Sequence, residues 1–307
     1  MCDFLLEGFE SDSNYNLINY RPLKLSVFGK VARFFEAYYM PKKKSTRFFE
    51  KSFIESLKQI SPNDNVLIFG IENLKNLLLL KPFIKAKKIS LWFWNPLSVR
   101  GRKSLESGRF ARLMREAEYE PYTFDYRDAE KYGFKLSNQI YRNIDAYRDR
   151  EQDTDFFFVG CDKKRLAELD ALKQKIEEEG FNCYFHVVSD KHTKKPEPRI
   201  TLCAKKHNIP YSETLEWIGR SRCLVDIMQP GQTGLTLRPL EALFCKKKLL
   251  TNNPAIKNES FYHPNNVLIL NDNTRSFFEF MSLPYHEPDS AIVEKYDIRH
   301  WIKQFEG

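Results

Sequence analysis

Gln232, Thr233, Gly234, Thr236, Arg238 and Glu241 fall within ten residues of one another, in the stretch RCLVDIMQPGQTGLTLRPLEALFCKKKLLTN from Arg222 to Asn252. Glycine lets the backbone come close to a ligand. Glutamine and threonine bring neutral donors, arginine a cation, glutamate an acceptor. The surroundings read as an apolar strand (Cys223–Ile227), a loop broken by Pro230, Gly231 and Gly234, and a helix. Leu237, Leu240, Ala242, Leu243 and Phe244 give that helix its packed positions, and Lys246–Lys248 place positive charge at its end before a second apolar strand. Strand, glycine-containing loop and helix start together are how an α/β fold builds an anion site at the edge of its sheet.

A second cluster follows another strand. Gly160 ends the apolar run DFFFVG, and Lys163, Lys164 and Arg165 open a helix. Three cations at a helix start oppose its dipole, a local conflict that points to function. The alternative is an ordinary solvated helix start. Glu72 and Asp125 stand at strand ends in the first half of the chain, where α/β sites form, and where caps and turn residues also stand. The six histidines show no metal-ligand spacing, and His186 lies within a strand. No metal and no cofactor is expected.

Bulk properties frame these clusters. A chain of 307 residues suggests two domains of about 150 residues each. Hydrophobic residues make up 42%, enough for globular cores. No run approaches the ~20 apolar residues of a membrane span. The start, MCDFLLEGFESDS, is acidic and lacks a secretory pattern, so a cytoplasmic location is expected. Six cysteines without CxxC or Cys/His spacing suggest free, mostly buried thiols. The net charge of +8 favours anionic partners: nucleotide phosphates, anionic lipid headgroups or nucleic acid.

The elements that must hold the clusters come in two similar runs. Strands are expected at Asn65–Ile71, Ile89–Trp94 and Tyr122–Phe124, with helices at Asn73–Phe83 and Ser104–Ala117. After a charged stretch at 142–154 come a strand at Asp155–Gly160, a helix at Lys164–Glu179, a strand at Phe181–Val188 and a helix at Thr214–Arg220. Beyond Asn252 a strand is expected at Asn266–Leu270, and helices at Thr274–Met281 and Ala291–Phe305. The fold class is therefore α/β, with two Rossmann-like domains in tandem and a cleft between them. We expect a basic and aromatic extension at 1–60, a first domain at 61–150 and a second at 151–307, whose last helix can pack back on the first. The extension carries a helix over Leu23–Tyr39 and interleaves aromatics with lysine and arginine. It reads either as a membrane-surface element or as a basic helix packed on the first domain.

The stretches FFFVGCDKKR and YSETLEWIGRSRCLVDI, with QTGLTLRPLEALFCKKKLLTNN after them, resemble the GT-B class of glycosyltransferases. The likeness is to the bacterial lipopolysaccharide, capsule and O-antigen biosynthesis proteins, and is good over 155–255. TFDYRDAEKYGFK adds a weaker likeness over 65–135, and residues 1–60 show none. The resemblance implies a nucleotide-sugar donor held by the second domain and a glycan or lipid-linked acceptor. Gly160, Lys164, Arg165, Gln232, Thr233, Gly234, Thr236 and Arg238 would serve the diphosphate. Glu241 would accept the ribose hydroxyls, about 10 Å from Gly234 along a helix. An inverting enzyme would take its base from Glu72 or Asp125. Many retaining members carry a glutamate eight positions before the later one; here that position is Thr233, so sugar and stereochemistry stay open.

Two other readings use the same residues. A catalytically idle glycosyltransferase-like subunit would bind a glycan or a partner enzyme, consistent with the missing glutamate. A nucleic-acid binder would fit the charge and the aromatics, but the basic residues are spread along the chain rather than gathered in a module. The expected partners are therefore a nucleotide-sugar and its acceptor, with peripheral contact to an anionic inner membrane and no nucleic acid.

Overall fold

The computed structural model describes residues 2–40, 42–71, 73–97, 104–148, 150–190, 193, 202, 205–228, 234–270, 272 and 275–306. It divides into two units, Met1–Asn138 with Ile302–Gly307, and Gln139–Trp301. Each contains a parallel sheet, so the chain is α/β throughout.

In the first unit the strands are β1 (Asn65–Phe69), β2 (Lys88–Trp92), β3 (Glu120–Thr123) and β4 (Lys135–Leu136), in spatial order β1-β2-β3-β4. Its helices are α1 (Cys2–Leu6), α2 (Val27–Tyr39), α3 (Lys51–Leu57), α4 (Leu74–Leu80), α5 (Ser104–Glu116) and α6 (Tyr126–Tyr132). Right-handed crossovers between strands taken in sequence put α4, α5 and α6 on one face. β4 escaped the sequence reading because it is two residues long and exposed, with no apolar run to announce it. Residues 1–60 do not form a separate extension. Phe48, Phe49, Phe53, Ile54 and Leu57 share one core with Leu77–Leu80 and Phe110. Residues 302–306 also belong here: the Phe305 ring meets Tyr122 edge-on at 4.8 Å, and Asn65 Nδ2 donates to the Glu306 carbonyl.

The second unit contains β5 (Thr154–Cys161), β6 (Cys183–Val188), β7 (Ser221–Asp226), β8 (Lys248–Thr251) and β9 (Val267–Ile269), in spatial order β6-β5-β7-β8-β9. Its helices are α7 (Leu166–Glu178), α8 (Tyr211–Arg220), α9 (Arg238–Phe244), α10 (Phe277–Ser282), α11 (Ser290–Glu294) and α12 (Ile298–Trp301). Strand alternation sorts the core. Phe156, Phe158, Cys223 and Val225 pack with Leu169 and Ile176 of α7 and Phe280 of α10. Phe157, pointing the other way, packs in near-parallel orientation beside the Tyr184 and Trp217 rings, Trp217 being on α8, and those two rings are themselves in contact.

The unit boundary falls at Asn138–Gln139, before the charged 142–154 stretch rather than within it at 150–151. Ile140 and Tyr141 are fully buried, and Tyr141 exchanges backbone hydrogen bonds with Tyr296 and Ile298. Arg148 Nε donates to the Phe244 carbonyl at 2.7 Å. The charged side chains mask a segment that is pinned at both ends. The same bridge breaks the helix expected over Ala291–Phe305 into α11, α12 and a final 3-10 turn, since Asp297 pairs with Tyr141. No helix among the described residues is long and apolar enough to cross a membrane.

Candidate functional site

The strand order β6-β5-β7-β8-β9 makes the chain move one way from β5 to β6 and the other way from β7 onward. The reversal lies between β5 and β7, and in open parallel sheets ligands bind outside the carboxyl ends of the strands at such a point. Three segments meet this edge: Cys161–Arg165 after β5, Asp226–Met228 after β7, and Gly234–Leu237 leading into α9.

After β5 the chain makes a tight turn. Arg165 N–H donates to the Asp162 carbonyl at 2.9 Å, and the two residues between have positive φ, 45° at Lys163 and 68° at Lys164. Left-handed backbone at a non-glycine residue costs roughly 1–2 kcal/mol. Buried Asp162 stabilises the turn: its Oδ1 accepts from the backbone N–H of Arg165 at 3.1 Å and of Leu166 at 3.0 Å. The Leu166 N–H is the first of α7, so a carboxylate of the chain itself already caps this helix.

Arg165 folds back over the strand ends. Its Nε and Nη2 donate to the Cys161 carbonyl at 3.2 and 3.0 Å, and Nη1 donates to the Ile227 carbonyl. The guanidinium thus ties β5 to the exit of β7. A Cβ on Gly160 would stand 2.9 Å from Arg165 Nη2 and 3.2 Å from the Phe158 ring. A side chain here would press on the protein's own arginine, a different reason for glycine from the close approach of phosphate. Lys164 is exposed. Burial pushes the Arg165 guanidinium below its ordinary pKa, with Asp226 acting in the opposite direction.

Asp226 is the centre of the second group. It is buried, and its carboxylate accepts from the hydroxyls of Thr236 at 2.9 Å and Thr251 at 3.2 Å. Burial pushes the Asp226 carboxyl up, against the pull of Thr236, Arg238, Thr251 and Arg165. Arg238 Nη2 donates to the Val159 carbonyl at 3.2 Å, while Nη1 lies 2.5 Å from Glu241 Oε2. Glu241 Oε1 in turn accepts from the Tyr211 hydroxyl at 2.8 Å. Tyr211 and Tyr141 hydroxyls are 2.5 Å apart; because Tyr211 donates to Glu241, Tyr141 donates to Tyr211. Burial and the Glu241 charge raise the pKa of both phenols, which keeps them protonated donors.

Glu241, expected to meet a ribose, has partners within the protein itself. The residue is only 2% exposed, and its carboxylate is taken up by Arg238 and Tyr211. The cause is where α9 begins. The helix starts at Arg238, not at Gly234, so Arg238 and Glu241 stand one turn apart on an inward face. The distance of about 10 Å along a continuous helix from Gly234 therefore does not apply. Gly234 itself is buried, and Thr236 is committed to Asp226. Gln232 and Thr233 lie outside the described residues, as does Glu72.

Asp125 belongs to the first unit. It is the N-cap of α6: its Oδ1 accepts from the Asp128 N–H at 3.1 Å, and its own N–H donates to Thr123 Oγ1 at 3.1 Å. Sequence reasoning passed over Asp162, Asp226 and Tyr141. Asp226 left a trace as the one charged side chain inside the apolar run CLVDI. Tyr141, next to a charged stretch, left none. Lys247 and Lys248, expected to decorate a helix end, are buried with their ammonium groups on the carbonyls of Gly219, and of Asn265 and Phe280.

The second unit is thus a parallel α/β unit with the strand order 2-1-3-4-5 and a charged, partly buried cluster at its switch point. No protein-family model matches the chain, and no curated protein matches it at significance. Among the described residues no group of three or more His, Cys, Asp and Glu side chains could hold a metal ion, and Cys161, Cys183, Cys223 and Cys245 are free thiols.

Proposed function

We propose that the Gln139–Trp301 unit binds the diphosphate of a nucleotide-sugar, and that the chain is a metal-independent glycosyltransferase of the GT-B kind. Its acceptor would be a glycan or lipid-linked glycan of bacterial surface polysaccharide assembly. The observation that carries the reading is the switch point between β5 and β7, with Lys163, Lys164, Arg165 and Arg238 gathered around its carboxyl edge. Transfer from a nucleotide-sugar builds negative charge on the leaving phosphates. Cations held in place before the reaction stabilise that charge without reorganising. Arg165 and Arg238 are so held, by the carbonyls of Cys161, Ile227 and Val159. Lys164, exposed on a left-handed turn, is the side chain available to reach a phosphate. The strain at Lys163 and Lys164 is of the kind found where a backbone is held for function.

The experiment is a thermal-shift series with UDP, GDP, CDP and ADP, followed by a transfer assay with sugar donors of whichever base binds. One nucleotide should raise the melting temperature, and Lys164→Ala should shrink that rise. No shift with any of the four would overturn the reading. A second reading, a catalytically idle binding subunit, is favoured by one pair of observations. Glu241 is engaged with Arg238 and Tyr211, and Asp125 is engaged as a cap. Nucleotide binding without turnover of any donor would select it.

A further inference from the structure

Helix α2 faces the wrong way for a helix of a water-soluble unit. Val27, Phe28, Val31, Phe34, Phe35 and Tyr39 are all exposed, Phe28 at 87%, Val27 at 74% and Tyr39 at 69%. At 3.6 residues per turn these six positions share one arc of about 140°. The opposite side of the helix carries the polar groups, and it faces inward. Glu36 is 4% exposed and accepts from Lys43 at 3.1 Å and from Arg47. Arg33 donates to Asn76 of α4 at 3.2 Å. Ala37, beside them, sits in the core. The ion pairs and the amide anchor fix the helix with its apolar face outward. A contiguous exposed apolar patch of this kind marks an interaction site.

The charges around the face say what covers it. The one acidic residue of α2, Glu36, is buried, so the outward arc carries no carboxylate. The exposed charges that flank the helix in sequence are lysines: Lys24 before it, Lys30 in its first turn, Lys42 and Lys44 after its end. A second copy of this face would bring lysines against lysines with no carboxylate to neutralise them. An anionic bilayer offers both parts at once, phosphate headgroups for the lysines and an acyl boundary for the aromatic rings. We infer that α2 is a monotopic membrane-docking helix, which lies in the surface of an anionic phospholipid bilayer with Phe28, Phe35 and Tyr39 inserted. The inference concerns the first unit and stands without the nucleotide reading of the second.

Flotation of the full chain with two kinds of vesicle tests it, one of phosphatidylcholine alone and one of equal parts phosphatidylcholine and phosphatidylglycerol. The protein should float with the anionic vesicles, remain below with the neutral ones, and float less as salt is raised. Phe28→Ser with Phe35→Ser should lower the bound fraction about tenfold or more. Both rings are exposed, so the melting temperature of that variant should stay at the wild-type value. Lys30→Ser, Lys42→Ser and Lys44→Ser together should weaken binding and flatten its salt dependence. The inference fails if the wild type does not float with anionic vesicles, or if the double phenylalanine variant floats as well as wild type. It also fails if sedimentation shows a wild-type dimer that the phenylalanine variant turns into a monomer, because a second copy then covers the face.

Discussion

The two sheets are both parallel and differ in the order of their strands. β1 to β4 lie in the order of the chain, whereas β5 and β6 reverse before β7. Each sheet has an aspartate at the end of its third strand, Asp125 after β3 and Asp226 closing β7, and the two do different things. α6 begins right after Asp125, so the carboxylate turns onto the helix N–H of Asp128 and becomes a cap. No helix follows Asp226 directly. Its partners are the hydroxyls of Thr236, ten residues on, and of Thr251 in the neighbouring strand, with Arg165 and Arg238 contributing charge. The same residue at the same kind of strand end thus caps a helix or gathers distant side chains according to how soon the next helix starts.

The largest test of that contrast is Glu241→Ala. It leaves Arg238, whose side chain is 13% exposed, without its carboxylate, and leaves Tyr211 and Tyr141 without their acceptor. Breaking a buried pair from one side costs about 3 kcal/mol or more. Denaturant unfolding followed through Trp217, which packs 4.1 Å from Tyr184, should show that loss in the second unit. Unchanged stability with a lost nucleotide response would instead return Glu241 to the ligand-facing role implied by the resemblance. Gly160→Ala comes next. Its methyl group would press on Arg165 and loosen the link between β5 and β7, at a cost of about 1–3 kcal/mol. A variant as stable as wild type would mean that the arginine moves aside easily, and that Gly160 serves the approach of a ligand.

The parts that the sequence discloses are those with local signals. Runs such as DFFFVG and CLVDI announce buried strands, and Leu166, Leu169, Leu172 and Ile176 announce α7 by their spacing. Cations after Gly160, and Arg238 and Glu241 taken singly, are visible as candidate site residues for the same reason. What stayed hidden depends on partners far along the chain. Tyr141 is linked to Glu241 through Tyr211, and Arg165 caps the exit of a strand about sixty residues later. The start of α9 is also non-local: Thr236 is held by Asp226, and helix begins only after it. Helix α2 shows the limit most plainly. Its amphipathic pattern is legible, and the side that faces inward is decided by Glu36 and Arg33 meeting Lys43, Arg47 and Asn76.

Asp125→Ala addresses the first-unit side of the comparison. Loss of an N-cap costs about 1 kcal/mol, and the expected result is that loss with any transfer activity unchanged. Abolished transfer at wild-type stability would identify Asp125 as the base and dissolve the contrast with Asp226.

A last prediction concerns pH dependence, whose sign separates the two units. Burial pushes the Glu36 carboxyl up, but hydrogen bonds from Ser45 and Lys43 and the charge of Arg47 outweigh burial, and the net pKa is below 4.5. Its ionised form therefore stabilises the fold above the unfolded value, and that contribution is lost as pH falls through the folded value. Asp226 behaves in the opposite sense. Burial holds its carboxyl above 3.8, so the fold disfavours its charge, and stability is recovered as pH falls through the raised value. Glu36→Gln should therefore cost more at about pH 7 than at about pH 4, and Asp226→Asn less at the higher pH than at the lower. The sign of each difference is read from urea midpoints of variant and wild type at both pH values. If Asp226→Asn costs more at the higher pH, Arg165 and Arg238 outweigh burial, and Asp226 is held ionised as the fixed counter-charge of the cationic edge.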